Sequence, residues 1–146
     1  MTLDNGPAAG QPYRGGMDCI DRISRRYRGE LLLHPPYRGK RDGRVPEELY
    51  AILCISDGIS ETIRLPDTHQ RAEVGWILYP HQMILEWTEF YAANYGTEGA
   101  VFADDGADGA YCIRPDGTVA CIGGAEGREA PVADTLWDFF GSDTGF

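Results

Sequence analysis

The densest chemistry in the chain is one short run, Asp104-Asp105-Gly106-Ala107-Asp108-Gly109. Carboxylates this close together are the donors that Ca²⁺ and Mg²⁺ take. The spacing fails as an EF-hand loop: counted from Asp104, Pro115 stands where the bidentate glutamate belongs, and counted from Asp105, Ala107 takes the third position. Two other readings fit the run. It is a tight turn whose aspartates accept from local N–H groups while glycines supply positive φ, or it is an acidic contact for a partner. No metal is assigned to it.

The remaining reactive residues are scattered. Ser24, Ser56, Ser60 and Ser142 lack the glycine frame of a nucleophile elbow. His34, His69 and His81 stand in loop-like sequence, His34 and His81 beside proline, where a lone histidine is expected to be solvated. There is no H-E-x-x-H, Walker or dinucleotide motif; Gly123-Gly124 with Gly127 lacks the pattern and the long helix that must follow. Glu86 and Glu89 lie three apart on one helix face, the outward one. Cys19, Cys54, Cys112 and Cys121 make no C-x-x-C pair, and Cys54 and Cys112 sit among apolar residues as expected core thiols. The expectation is a chain with no catalytic constellation and no cofactor.

Charge is the stronger signal. Of the net −10, residues 1–45 contribute nine Lys/Arg against five Asp/Glu, while residues 46–146 hold four arginines against eighteen acids. Such a body repels phosphate, which argues against nucleic acid as its ligand, and it attracts basic proteins. Tyr27 and Tyr37 interrupt the basic stretch Arg22–Arg44 and have the type that stacks bases, but the excess there is small beside the acidic body. No stretch nears the roughly 20 apolar residues of a membrane span, and Met1 to Pro12 has neither the basic start nor the apolar run of a secretory signal. A cytoplasmic location is expected.

The elements that would position these residues read as one α+β domain. With 146 residues, 42% hydrophobic, the chain has enough apolar material for a core. Residues 1–16, rich in Gly and Pro, read as a disordered leader, and 142–146 as a tail. Asp18 is placed to cap a first helix to about Arg28, with Ile20, Ile23 and Tyr27 as its stripe. Pro46 opens a second helix through Leu49, Tyr50, Ile52 and Leu53, ended by Asp57-Gly58. Ile59–Leu65 alternates imperfectly, as an edge strand does, and Gly75–Tyr79 is a short strand. In Gln82–Tyr95 the set Met83, Ile84, Trp87, Phe90 and Tyr91 has helical spacing, closed by Gly96. Strands follow at Ala100–Ala103, Ala110–Ile113 and Thr118–Ile122, the last two joined through Pro115-Asp116-Gly117. Gly123–Pro131 reads as a loop, and Asp134 caps a final helix through Phe140 with Leu136, Trp137 and Phe140 inward. The sum is an antiparallel sheet flanked by N-terminal helices, a middle helix and a short C-terminal helix.

Several of these pieces, in this order, resemble the SMI1/KNR4 (SUKH superfamily) domain. Val45-Pro46-Glu47-Glu48-Leu49-Tyr50-Ala51-Ile52-Leu53 before Asp57-Gly58 is similar to its opening "L-P-x-x-Y-x-x-F-L" helix, and Trp76-Ile77-Leu78-Tyr79-Pro80 to its next strand. Val101 to Asp108 resembles the "F-x-x-D-G-x-G-D" strand and turn, Pro115 to Val119 the hairpin, and Asp134 to Phe140 the closing "S-L-x-x-F-L" helix. Val45 stands where the family has Leu, and Asp108 falls one place from its Gly-Asp. The resemblance spans roughly residues 17–141. It implies an α+β fold and, in bacteria, an immunity protein that binds and neutralises a cognate toxin, many such toxins being nucleases; it carries no catalytic residues.

The resulting expectation is a binding protein, monomeric or weakly dimeric, whose partner is a protein with a basic surface. Its contacts are expected at Asp104, Asp105, Glu86, Glu89 and Glu98, with Tyr91 or Tyr95 as aromatic anchor. A regulatory scaffold with no toxin, and a metal-dependent hydrolase built on the acidic loop, are the alternatives.

Overall fold

The computed structural model describes residues 20, 21, 23, 30–106, 108–123 and 126–141. The expected leader, the cap Asp18, Cys19, most of the first helix and the tail lie outside them; Ile20 and Ile23 are helical and buried.

The elements run β1 (Glu30–Leu33), α1 (Glu47–Leu53), β2 (Ile59–Arg64), β3 (Arg71–Leu78), α2 (His81–Tyr95), β4 (Ala100–Asp104), β5 (Ala110–Ile113), β6 (Val119–Gly123), β7 (Arg128–Ala133) and α3 (Leu136–Gly141). The class is α+β, with two antiparallel sheets, β1-β2-β3 and β4-β5-β6-β7, rather than one. They meet where Tyr79, just past β3, donates its N–H to the Phe102 carbonyl of β4 at 2.7 Å. One such bond is no ladder, so each sheet keeps its own register. A single buried cluster nevertheless joins both sheets to the helices, from Ile23 and Leu53 through Leu78 and Ile84 to Phe102, Ile122 and Phe140.

Local chemistry accounts for most boundaries. Pro46 precedes α1 with its fixed φ of −62°, and Glu47 and Glu48 meet the positive end of the helix. All five residues from Leu49 to Leu53 are buried, since so short a helix lies wholly inside the fold. Helix α2 stops at Gly96, whose φ of +71° is the left-handed cap. Its N-terminus is tied by Asp57, which accepts the His81 N–H at 2.7 Å; the turn that ends α1 thereby starts α2. At the β5–β6 turn Asp116 accepts the Thr118 N–H at 2.9 Å. Thr135 accepts the Asp138 N–H at 3.0 Å, so Thr135 caps α3 in place of the expected Asp134.

Three further sequence readings change. β2 is a central strand, because the Leu31–Leu33 segment, too short to declare itself, pairs with it as β1. Gly123–Pro131 is not simply a loop: β7 pairs with β6 through Glu129↔Ile122 and Ala130↔Cys121. Its own residues do not alternate, so only the neighbouring strand defines it, and Pro131 is tolerated because β7 is an edge. Cys54, past the end of α1, is exposed, whereas Cys112 is buried in β5 and burial pushes its thiol up to about 12. Among the described residues no helix is long and apolar enough to cross a membrane.

Candidate functional surface on helix α2

One flank of α2 carries a chain of rings. Trp87 meets Phe90 edge-on at 5.4 Å and Tyr91 at 5.9 Å; Tyr95 lies 6.4 Å from Phe90 and 5.6 Å from Tyr91. On the sheet side Tyr79 stacks toward Trp87 at 6.4 Å. These rings differ in what they show to solvent. Tyr91 is 9% exposed and forms the floor, while Phe90 is 45% and Tyr95 39% exposed. The helix is seated by Thr88, whose hydroxyl accepts the Val101 N–H of β4 at 2.9 Å. That bond holds α2 on the start of β4, while Tyr91 lies within electrostatic reach of Asp105, Asp104 and Asp108 beyond the strand's far end.

The loop does two kinds of work. Asp104 is engaged within the fold: one carboxylate oxygen accepts the Tyr79 hydroxyl and the other the Trp76 N–H, at 3.2 Å. Burial and this carboxylate together push the Tyr79 phenol far up, so it stays protonated and donating. Asp105 accepts the Gly109 N–H at 3.0 Å and the Cys121 thiol at 3.8 Å. Gly109 is required there, since the Ile122 carbonyl oxygen and the Asp105 carboxylate fill the space a Cβ would need. Asp108 is exposed. Burial raises the Tyr91 phenol, aided by Tyr95 and by the nearby charges of Asp105, Asp104 and Asp108. Among the described residues no three His, Cys, Asp or Glu side chains are grouped to hold a metal ion.

The seven expected contacts therefore separate. Tyr91, Tyr95, Asp104 and Asp105 come together, with Asp104 and Asp105 largely occupied by the turn and Tyr91 largely covered. Glu86 lies on the outward face of α2, accepting from Gln82 at 3.1 Å. Glu89 is exposed within electrostatic reach of Arg44. Glu98 lines a separate cleft of about 340 Å³ with Arg44, Thr88 and Arg114. Phe90, counted with the inward set by spacing, is the residue sequence reasoning misplaced. At about 100° per residue it stands a quarter-turn from Tyr91 and beside Glu86, four positions back on the same face, and that neighbourhood was the available signal.

A second cluster is closed. His81 is buried, stacked on Tyr37 with ring centres 3.9 Å apart, and its Nε2 lies 2.8 Å from the Tyr50 hydroxyl. The same hydroxyl accepts the Asp42 N–H at 2.6 Å. Burial lowers the His81 imidazole, against the nearby acids Asp57 and Asp42. The expected solvated loop histidine is thus a core residue of α2. His34 is half-buried, 5.3 Å from the Trp76 ring, and His69 is exposed.

No family model, curated protein or solved structure matches this chain.

Proposed function

We propose that this chain is a cytoplasmic protein-binding module that captures a basic protein, and that the partner is a cognate toxin domain which it neutralises. The observation that carries the reading is the exposed aromatic pair Phe90 and Tyr95 on either side of Tyr91, which lies within electrostatic reach of the acidic loop, on a body with four arginines against eighteen acids. Exposed rings supply contact area at low entropic cost and the net negative charge of the body supplies steering. A toxin that grips phosphate must be basic where it does so, and an acidic surface competes for that ground. The toxin itself rests on the resemblance to the SMI1/KNR4 domain in the order of short motifs between Val45 and Phe140.

The test is association with the product of the gene immediately upstream. The expected result is a 1:1 complex whose on-rate falls by about 10-fold or more between low and high salt. Charge reversal at exposed acids, Asp108→Lys with Glu86→Lys, should slow association and weaken protection of cells from the toxin. An upstream product that does not bind overturns the toxin assignment. A complex whose on-rate ignores salt overturns the acidic-surface reading.

A further inference from the structure

We propose that the Phe90–Tyr95 flank of α2 is an arginine-receiving surface: a guanidinium of the basic partner lies on the exposed rings and pairs with Asp108. This rests on the reading above, that the partner is a basic protein, and names the group on it that is recognised.

Three observations select this occupant. Phe90 and Tyr95 are half-open rings set at 71° to each other, with Tyr91 beneath and Trp87 beside them. Exposed ring faces attract cations. Two exposed acids of the region, Glu86 and Asp108, stand outside the ion pairs of the described residues. All four arginines of the acidic body are committed elsewhere, Arg64 and Arg71 to Glu30, Arg114 to Glu129 and Arg128 to Glu126. The surface thus offers what a cationic side chain needs, and among the described residues no cation is paired with Glu86 or Asp108.

The geometry also discriminates among cations. A guanidinium is planar, stacks on a ring and presents a fork to a carboxylate, while an ammonium is compact and strongly hydrated. Stacked bases would find the same rings, but the acidic body would repel their phosphates. A purely apolar segment would bury Asp108 and Glu86 without partners.

The experiment uses the full chain and two fluorescein-labelled peptides of equal length and charge, alternating Arg-Gly and alternating Lys-Gly, read by anisotropy at fixed salt. The arginine peptide should bind about 3- to 30-fold more tightly. In the double variant Phe90→Ala, Tyr95→Ala that preference should vanish, leaving both peptides at the lysine level. Asp108→Asn should weaken the arginine peptide more than the lysine peptide. Both ring positions are exposed, and an unchanged melting transition confirms that each variant folds.

Equal affinity for the two peptides, no binding of either, or a double variant that keeps the preference each overturns the proposal. So does tighter binding of a single-stranded oligonucleotide, or a dimer of the chain that Phe90→Ala dissolves, since these name a different occupant. Arginine binding that appears only when Arg25 and Arg26 are changed to Gln would assign the surface to the chain's own basic segment and overturn it equally. The upstream partner can still bind with salt-dependent kinetics when the peptide test fails. The reading and this inference therefore fail separately.

Discussion

Two aromatic clusters lie at opposite ends of the sequence of α2, and they are built from the same residue types to opposite effect. At its N-terminus His81, Tyr37 and Tyr50 are stacked and hydrogen-bonded, with the Tyr50 hydroxyl shared between the Asp42 N–H and His81 Nε2. Arg41 covers the Tyr50 ring, its guanidinium carbon 4.8 Å from the centroid. Toward its C-terminus Phe90 and Tyr95 touch each other and Tyr91, and Tyr95 also packs on Gly127, yet both remain about two-fifths exposed. In the first cluster every polar atom named has a partner inside the fold, so its energy is spent on stability. In the second, part of each ring and Asp108 are left to solvent, and their energy is available to a ligand. Polarity does not separate the two, since both contain tyrosine; closure does.

The difference is measurable as stability first. Tyr50→Ala should cost about 3–5 kcal/mol, the range for emptying a buried aromatic site, whereas Phe90→Ala should stay within about 0.5 kcal/mol. Urea denaturation of the two variants compares them directly, and similar losses would erase the distinction between closed and open.

The acidic loop divides in the same way, more gently. Asp104→Ala strands the buried Tyr79 hydroxyl and the Trp76 N–H, so about 1–3 kcal/mol should be lost. Asp108→Ala should be neutral to folding. Thermal melts of the pair will show whether one loop holds both a latch and a contact.

The third consequence is a pH dependence confined to the closed cluster. Burial holds His81 below its ordinary value of 6.5, so the unfolded chain takes up that proton first. Its contribution is intact above about pH 6.5 and is lost as pH falls below it. The wild-type stability minus that of His81→Asn should shrink between pH 7.5 and 5.5, and a constant difference would mean that His81 titrates alike folded and unfolded. The smallest effect is kinetic. Exposed Cys54 should react with a thiol reagent in the native state, while Cys112, buried and raised to about 12, should react only on unfolding.

Much of the framework was legible because its signals are local. The 3.6-residue spacing and Gly96 place α2 to within one residue at its start, and Pro115-Asp116-Gly117 places the β5–β6 turn. β7 was not legible, since Arg128–Ala133 has no alternation and becomes a strand by pairing with β6. The site was half legible: tyrosines and aspartates were named, but Phe90, the more exposed ring, was counted as core. His81 was misread because a neighbouring proline signals a loop, while its burial comes from Tyr37 and Tyr50, the latter 31 positions away.

The sequence by itself determined the α+β class, the acidic body with its basic first third, and most element positions, because charge is additive and helix and turn propensities act over a few residues. The tertiary structure decided that the strands divide into two sheets, that Asp104 faces inward to Tyr79 and Trp76, that His81 is enclosed, and that Phe90 stays open. Each of those is a choice between neighbours distant in the chain. Periodicity shows that a helix has an apolar flank; only packing shows how much of that flank is left uncovered.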